Sequence, residues 1–542
     1  MKTSSIKKNI SLLGVVALSA LTFTAIPTLA HAAPACATAG LITQCVGVTS
    51  DAAPYVMQVP ANFNGTAFIY SHGYRYNVDI PAGIPLIGGY KITNTPQPGP
   101  VPGGSTAVIA GLLGKGYAVM GSGFARQGWN ADSGVATDVE LIKLFKTQFT
   151  ATKHIVAWGE SLGGFITQGL AETHPELIDA AAPMCMAAGS VQAELKTAGD
   201  FLWGIKTFFD PSIKAGNYSA GAAGYAESMA DLVKVFTVMG KLQAGVSSGA
   251  WPDTSPKSAT DLLGAIPSRS VLLMIGLMAG VPTQSAHFDG TTGPGNVNTS
   301  AYTGFALAAS PALAILENGT NAAALAVLAT IDIENQSGGA VYDNTKTNYA
   351  AQVSSEAAIY NAGLSGSSAI GGMLAYIAAA PRATGDVKAM AKETTLLQHT
   401  GKINVPTITM AGLADPVTPA GNSQWIAEQY AGQYASERAA AMKAYKPRPV
   451  PALISIWGVT PAHYTTFSSL GAPITSTPAA NGTNHCNFTV VQYQGVANLL
   501  IYAAQNSKNM TGGAVRTLVR KMKGSVLDPN LMPPLLKYYV QD

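Results

Sequence analysis

Three side chains, far apart along the chain, have the types and order needed to make an alcohol reactive. Ser161 stands in Gly159-Glu160-Ser161-Leu162-Gly163, Asp415 in Ala414-Asp415-Pro416, and His485 in Asn484-His485-Cys486. A serine hydroxyl is a poor nucleophile near neutral pH. It needs an imidazole within hydrogen-bond reach, and the imidazole needs an acid to orient it. The order serine, acid, histidine lets each group sit at the carboxyl end of a later strand in one sheet.

The G-x-S-x-G pattern alone does not single out Ser161, because it recurs at Gly245-Val246-Ser247-Ser248-Gly249. Context separates the two. Ser161 follows the apolar run His154-Ile-Val-Ala-Trp158 and opens an amphipathic stretch, so it reads as a strand-to-helix turn. Such a turn forces the serine into an unfavourable backbone conformation, which small neighbours accommodate. It also aims the Leu162 N–H, at a helix N-terminus, toward a developing oxyanion. No strand precedes Ser247, and a loop between helices accounts for it. A second oxyanion donor is expected from the loop after an earlier strand, and Ser71-His72-Gly73-Tyr74 supplies it through the N–H of Tyr74. Two histidines follow Asp415. His485 is preferred over His463 because it lies directly before a helix, beyond the last strand.

These groups need a sheet to hold them. Apolar runs of strand length occur at Thr66–Ser71, Tyr117–Gly121, His154–Trp158, Ile178–Met184, Val405–Ala411 and Ala452–Trp457, and Tyr55–Val59 reads as an edge strand. Helical patterns lie between them at Ser105–Lys115, Thr137–Phe149, Phe165–His174, Gln424–Tyr445 and Asn487–Gln505. The alternation predicts an α/β fold: a mostly parallel, doubly wound sheet covered on both faces. It breaks between about Ala187 and Thr400, a stretch rich in Ala, Gly, Ser and Met, which reads as a helical cap or lid. The expected organisation is core over 33–186, cap over 187–400, core again over 401–506, and an irregular tail over 507–542. Within the cap, Val271–Val281 is too short to span a bilayer and reads as a buried or ligand-facing helix.

The first 32 residues read as a secretory signal peptide: Lys2, Lys7 and Lys8, an apolar run from Ile10 to about Leu29, then Ala30-His31-Ala32. Its removal takes the formal charge from +3 to 0. Low charge, at 11% of residues, with no Lys/Arg run, argues against a nucleic-acid partner, and no stable membrane anchor is expected. Four cysteines, Cys36, Cys45, Cys185 and Cys486, allow three disulfide pairings. Cys36 and Cys45 are close enough in sequence to close a small loop, which leaves Cys185 with Cys486. No C-x-x-C or H-E-x-x-H pattern occurs, so neither metal nor cofactor is expected.

Ser-His-Gly-Tyr, Gly-Glu-Ser-Leu-Gly-Gly, Gly-Leu-Ala-Asp-Pro-Val-Thr-Pro and Asn-His-Cys-Asn-Phe, in that order, resemble the α/β-hydrolase superfamily, in particular its exported bacterial serine esterases. The resemblance spans the sheet domain and not the cap. It implies Ser161 as nucleophile, His485 as base, Asp415 as acid, and Tyr74 and Leu162 as backbone oxyanion donors. The Asp-Pro-Val-Thr-Pro loop is also similar to that of exported tripeptidyl and prolyl aminopeptidases. The His-Cys pair is similar to that of feruloyl esterases and tannases, where the partner cysteine immediately precedes the serine. Here Glu160 stands in that place, and the resemblance implies that Cys185 could instead brace the His485 loop through Cys486.

Three functions follow as expectations. The first is a secreted serine hydrolase of carboxylic esters, small or polymeric, since the cap offers apolar groups such as Phe201, Trp203 and Phe208. The second is an exopeptidase, which needs a carboxylate for a free α-amine; Glu227, Asp231, Asp332 and Glu334 are the acids considered. The third is a non-catalytic binding protein on a hydrolase scaffold.

Overall fold

The computed structural model describes residues 34–246, 248–293, 309–354, 366–468, 472–475, 478–506 and 508–540. The leader assigned to residues 1–32, Ser247 of the second G-x-S-x-G, and the end of the Asp289–Asn296 loop lie outside the described residues.

The strands are β1 (Ala35–Ala39), β2 (Ile42–Val48), β3 (Pro54–Pro60), β4 (Thr66–Ser71), β5 (Ala118–Ser122), β6 (His154–Glu160), β7 (Ala180–Met184), β8 (Thr407–Gly412) and β9 (Leu453–Gly458). Two short strands, β10 (Thr466–Phe467) and β11 (Pro473–Ile474), pair with each other, and β12 (Ser525–Val526) ends the series. The main sheet runs β1-β2-β3-β5-β4-β6-β7-β8-β9-β12. It is parallel from β5 through β9, and antiparallel where β1, β2, β3 and β12 join.

Side-chain alternation explains why the central strands read as unbroken apolar runs. Along β4, Ala67 and Ile69 enter one core while Phe68 and Tyr70 enter the other; along β6, Ile155 and Ala157 part from Val156 and Trp158 in the same way. A strand buried on both faces has no polar side to alternate with. On one face lie α2 (Ala131–Gln148), through Leu141, Ile142 and Phe145, and α3 (Leu162–Thr173), through Phe165, Ile166 and Leu170. On the other lies α1 (Ala107–Gly114), through Val108 and Leu112.

The chain between β7 and β8 holds helices α4 (Val191–Phe208), α5 (Gly221–Gly245), α6 (Lys257–Leu263), α7 (Ser268–Ala279), α8 (Ser310–Ser337), α9 (Tyr349–Ser354), α10 (Gly366–Ala379) and α11 (Val387–Glu393). Their apolar core is separate from those of the sheet and includes Phe201, Trp203, Phe208, Leu272, Met274 and Ile315. Every residue of α7 is buried, Arg269 included, as expected of a helix that from Val271 onward is apolar on all sides. Helix α8 is long and apolar enough to cross a membrane, but it packs against α4, α5 and α7. Asp332 on α8 ties this layer to the sheet domain, accepting from Arg126 Nη2 at 2.7 Å, the Trp129 N–H at 2.6 Å and Asn77 Nδ2 at 2.6 Å.

After β8 come α12 (Gly421–Lys443), α13 (Val490–Gln505), which covers the same face as α1, and α14 (Gly513–Arg520). Two expectations are corrected. Segment 54–60 is not an edge strand: the β1–β2 hairpin, joined by the Cys36–Cys45 disulfide, lies outside it. The segment beyond 507 is not wholly irregular, since α14 packs on α13 and β12 pairs with β9.

Candidate active site

Strand β6 ends at Glu160 and α3 begins at Leu162, so Ser161 alone makes the turn. Its φ of 56° and ψ of −125° fall where residues with a Cβ are strained. The flanking glycines are a steric requirement. A Cβ on Gly159 would lie 2.3 Å from the Gly163 carbonyl oxygen, and one on Gly163 would lie 2.0 Å from the Ser71 carbonyl oxygen. The Ser161 N–H donates to the Met184 carbonyl of β7 at 3.1 Å, which fixes the turn against the next strand.

Among the described residues, neither the Leu162 N–H nor the Tyr74 N–H has an acceptor within the protein, and both residues line the cavity that Ser161 faces. Leu162 N–H is free because it begins a helix. Tyr74 N–H is oriented by His72, whose Nδ1 donates to the Gly73 carbonyl at 2.7 Å. That carbonyl and the Tyr74 N–H belong to one trans peptide and point in opposite directions, so anchoring one turns the other away from His72. Burial pushes the His72 pKa down to about 4, which keeps the ring neutral.

Asp415 lies just past β8, fully buried. Its Oδ1 accepts from the Val417 and Thr418 N–H groups at 2.9 and 3.0 Å, and its Oδ2 accepts from the Cys486 N–H at 3.1 Å. His485 Nδ1 lies 3.0 Å from both oxygens. Burial works against the imidazolium, but the charge and hydrogen bond of Asp415 and the charge of Glu160 outweigh it, so the His485 pKa is raised. No hydrogen bond joins Ser161 Oγ to His485 Nε2. The latter instead lies 3.5 Å from Cys486 Sγ. The two residues share close neighbours: Thr418, which lines the cavity with Ser161, has its Oγ1 3.4 Å from His485 Nδ1. Catalytic serine–histidine hydrogen bonds are often long or unformed without substrate.

The His485 loop is held from both sides. Thr489 caps α13, its hydroxyl accepting from the Gln492 N–H at 3.3 Å while Gln492 Oε1 accepts from the Thr489 N–H at 2.8 Å. A disulfide joins Cys486 to Cys185, at the end of β7. Beneath it, the Glu160 carboxylate accepts from Tyr70 Oη at 2.5 Å and from Tyr493 Oη on α13. Burial raises the Glu160 pKa against these two bonds and the His485 charge. The Cys185–Cys486 bond closes 301 residues of sequence, whereas Cys36–Cys45 closes 9. In the chain-entropy account those loops are worth about 6 and about 2.5 kcal/mol. We therefore expect Cys486→Ser to lower the melting temperature more than Cys36→Ala and, unlike it, to lower turnover; thermal melts and initial rates of both variants check this.

The cavity over Ser161 encloses about 100 Å³ between the sheet edge and helices α4 and α8, with Trp129, Leu195, Phe201 and Ile333 among its apolar walls. None of the acids considered from sequence lines it. Glu227 is engaged by Lys214 and Ser219, Asp231 by Tyr218 Oη and the N–H groups of Lys214 and Ala215, Asp332 by Arg126, and Glu334 by the N–H groups of Asn217 and Tyr218. The acid that does line it is Glu194, which sequence reasoning missed. Its place in the first turn of α4 gave no signal beyond the ordinary preference for acids there. Glu160 was noted only as an occupant of a cysteine position; its bond to Tyr493 spans 333 residues and has no local signature.

The other histidines have separate settings. His463 is exposed, with Nδ1 3.5 Å from Thr291 Oγ1. His399 is buried, accepting from the Gly189 N–H at 3.3 Å while Nε2 donates to the Phe165 carbonyl at 2.9 Å.

No protein-family model and no curated protein matches the chain. Among solved structures it is similar to feruloyl esterase B from Aspergillus oryzae, at 13% identity and a TM-score of 0.34, over 77% of this chain and 72% of that one. It is also similar to the rice cell wall degrading esterase LipA from Xanthomonas oryzae, at 11% identity and a TM-score of 0.28, over 77% and 82%. Likenesses at these scores add nothing to the strand order, and the fold rests on the latter. With strands parallel from β5 to β9, an antiparallel β3 beside them, and a serine turn between the central β6 and α3, the chain has the α/β-hydrolase fold.

Proposed function

We propose that this protein is an exported serine hydrolase that cleaves carboxylic esters with an apolar acyl or aromatic part, either small molecules or esters derived from a polymer. The observation that carries the reading is the Asp415–His485 pair at 3.0 Å, beside a cavity walled by apolar side chains and floored by the strained Ser161. Export is supported by the two disulfides, which persist in oxidising compartments.

In this reading Ser161 Oγ attacks the ester carbonyl carbon as its proton passes to His485 Nε2. The Tyr74 and Leu162 N–H groups bind the oxyanion, worth on the order of 100-fold or more in turnover per donor. His485 then gives its proton to the departing alcohol. Water, deprotonated by His485, cleaves the acyl-enzyme and frees the acid. Asp415 holds the proton on Nδ1 throughout.

The base works only when neutral. Because the His485 pKa is raised, protonation silences it at a higher pH than an ordinary histidine would allow. The acid limb of kcat/KM is expected to have its midpoint above about 6.5, and Glu160→Gln, by removing a negative neighbour, to move it to lower pH. A pH–rate profile of both proteins measures this. Substrate class is tested by comparing p-nitrophenyl acyl esters with aminoacyl p-nitroanilides. Turnover of the esters at rates at least 100-fold higher is expected; the reverse preference would replace this reading with the exopeptidase.

A further inference from the structure

Glu194 is the one acidic side chain among the residues lining the cavity, and no Lys, Arg or His stands among them. Its Oε1 is shielded from solvent and, among the described residues, has no hydrogen-bond partner. An acceptor or donor left unmatched in such a place costs about 1–3 kcal/mol, a cost that a ligand group can offset. The polar neighbours around the cavity are few: Thr197, Asn318 and Thr418. The donors of Asn318 are already committed, its Nδ2 donating to the carbonyls of Pro282 and Gln284. Thr418 Oγ1 donates to the Cys185 carbonyl at 2.7 Å. Asn318 Oδ1 is likewise buried without a partner among the described residues, but an amide oxygen only accepts, so Glu194 is the lining group whose unpartnered oxygen can also donate once protonated.

Its protonation state decides what it can bind. Removal from water disfavours the carboxylate by more than the hydrogen bonds of Asn422 and the Ala188 N–H favour it, and the negative Asp415 adds a smaller push in the same direction as burial; the pKa is pushed up to about 8. With no cation in the lining, the group is a neutral acid near pH 7, able to donate one hydrogen bond. A neutral donor matches an uncharged acceptor, such as a ketone, an ether or a second ester carbonyl.

We propose that Glu194, which lines the apolar cavity beside Ser161 with its Oε1 unpartnered, is a specificity-determining residue that donates a hydrogen bond to a second, uncharged acceptor on the acyl chain of the ester. This rests on the ester-hydrolase reading and narrows it: the preferred acyl groups are oxoacyl, alkoxyacyl or oligoester chains rather than plain alkyl chains. Oligomers of a hydroxy acid satisfy the requirement, because every repeat carries another carbonyl.

The test compares p-nitrophenyl 4-oxopentanoate with p-nitrophenyl pentanoate, which replaces the ketone by a methylene of similar size. The readout is the ratio of the two kcat/KM values within each protein, so a general loss of folding or turnover cancels. The wild type is expected to favour the oxo ester by about tenfold. Glu194→Gln, which keeps a donor, should retain the preference within about threefold, and Glu194→Leu should abolish or invert it. Retention of the preference by Glu194→Leu, or its absence in the wild type, overturns the proposal while leaving the hydrolase reading intact. So does wild-type preference for p-nitrophenyl 6-aminohexanoate that Glu194→Gln destroys, since that marks an ionised carboxylate binding ammonium. Absence of turnover of every ester by the wild type overturns both.

Discussion

Ser161→Gly is expected to abolish ester turnover, by roughly a million-fold in kcat, while making the protein more stable. The two effects have one cause. Ser161 is held at a φ of 56° so that its hydroxyl stands above the sheet edge. Strain of that kind costs about 1–3 kcal/mol. Glycine adopts the same conformation without a Cβ penalty, offset in part by its greater freedom when unfolded, for a net gain of about 1 kcal/mol. Ser161→Ala removes the same hydroxyl but keeps the Cβ, so it should lose the activity without the gain. Thermal melts of the two variants alongside their rates separate the strain from the chemistry. Equal melting temperatures would mean that the turn carries no strain that glycine relieves.

Asp415→Asn is expected to lower kcat/KM by about 10⁴-fold. The carboxylate has no spare capacity. Oδ1 serves two backbone N–H groups, Oδ2 serves the Cys486 N–H, and both face His485 Nδ1. An amide can place its oxygen on only one side. With the oxygen toward Val417 and Thr418, its NH₂ opposes the Cys486 N–H and meets His485 Nδ1 as a donor. That favours the tautomer with the proton on Nε2, which cannot accept from Ser161. The raised His485 pKa loses the partner that sustains it, so the residual activity should show an acid limb at lower pH than the wild type. Unsatisfied groups at the loop should also cost about 1–3 kcal/mol of stability. Kinetics across pH and a denaturant titration measure the two consequences. An Asn variant with wild-type rates would remove Asp415 from the account.

Much of the fold was legible because burial on both faces leaves its mark in composition. The centres of β4 and β6 appear as unbroken apolar runs, β8 alternates Ile408 and Met410 with buried threonines, and the helices between the strands carry apolar stripes that match the faces they cover. The β1–β2 hairpin left no such mark: β1 is exposed along its length, and its Ala, Cys and Thr residues resemble loop composition. Strand β12 is two residues long and is specified by its pairing with Gly458 and Trp457, not by its own sequence. Helix α2 begins at Ala131, earlier than its apolar stripe suggests, since its first turn contains Asp132 and Ser133.

The site divides in the same way. The Ser161 turn was legible because Gly159 and Gly163 answer steric demands made within a few residues or by the neighbouring strand. Asp415 and His485 were legible through their order relative to strands. Glu160 and Glu194 were not. Their significance comes from what the fold brings to them, Tyr70 and Tyr493 in one case and an apolar cavity in the other. A carboxyl group's neighbours across hundreds of residues leave no pattern beside it in the chain.

The account depends on Ser161 being the group that His485 activates. The most direct measurement is treatment of the full chain with a fluorophosphonate, followed by peptide mapping by mass spectrometry. The account predicts one adduct, on the peptide carrying Ser161, whose formation slows by orders of magnitude in His485→Ala but not in His463→Ala. An adduct on another serine, or labelling of Ser161 at an unchanged rate without the His485 imidazole, would contradict it.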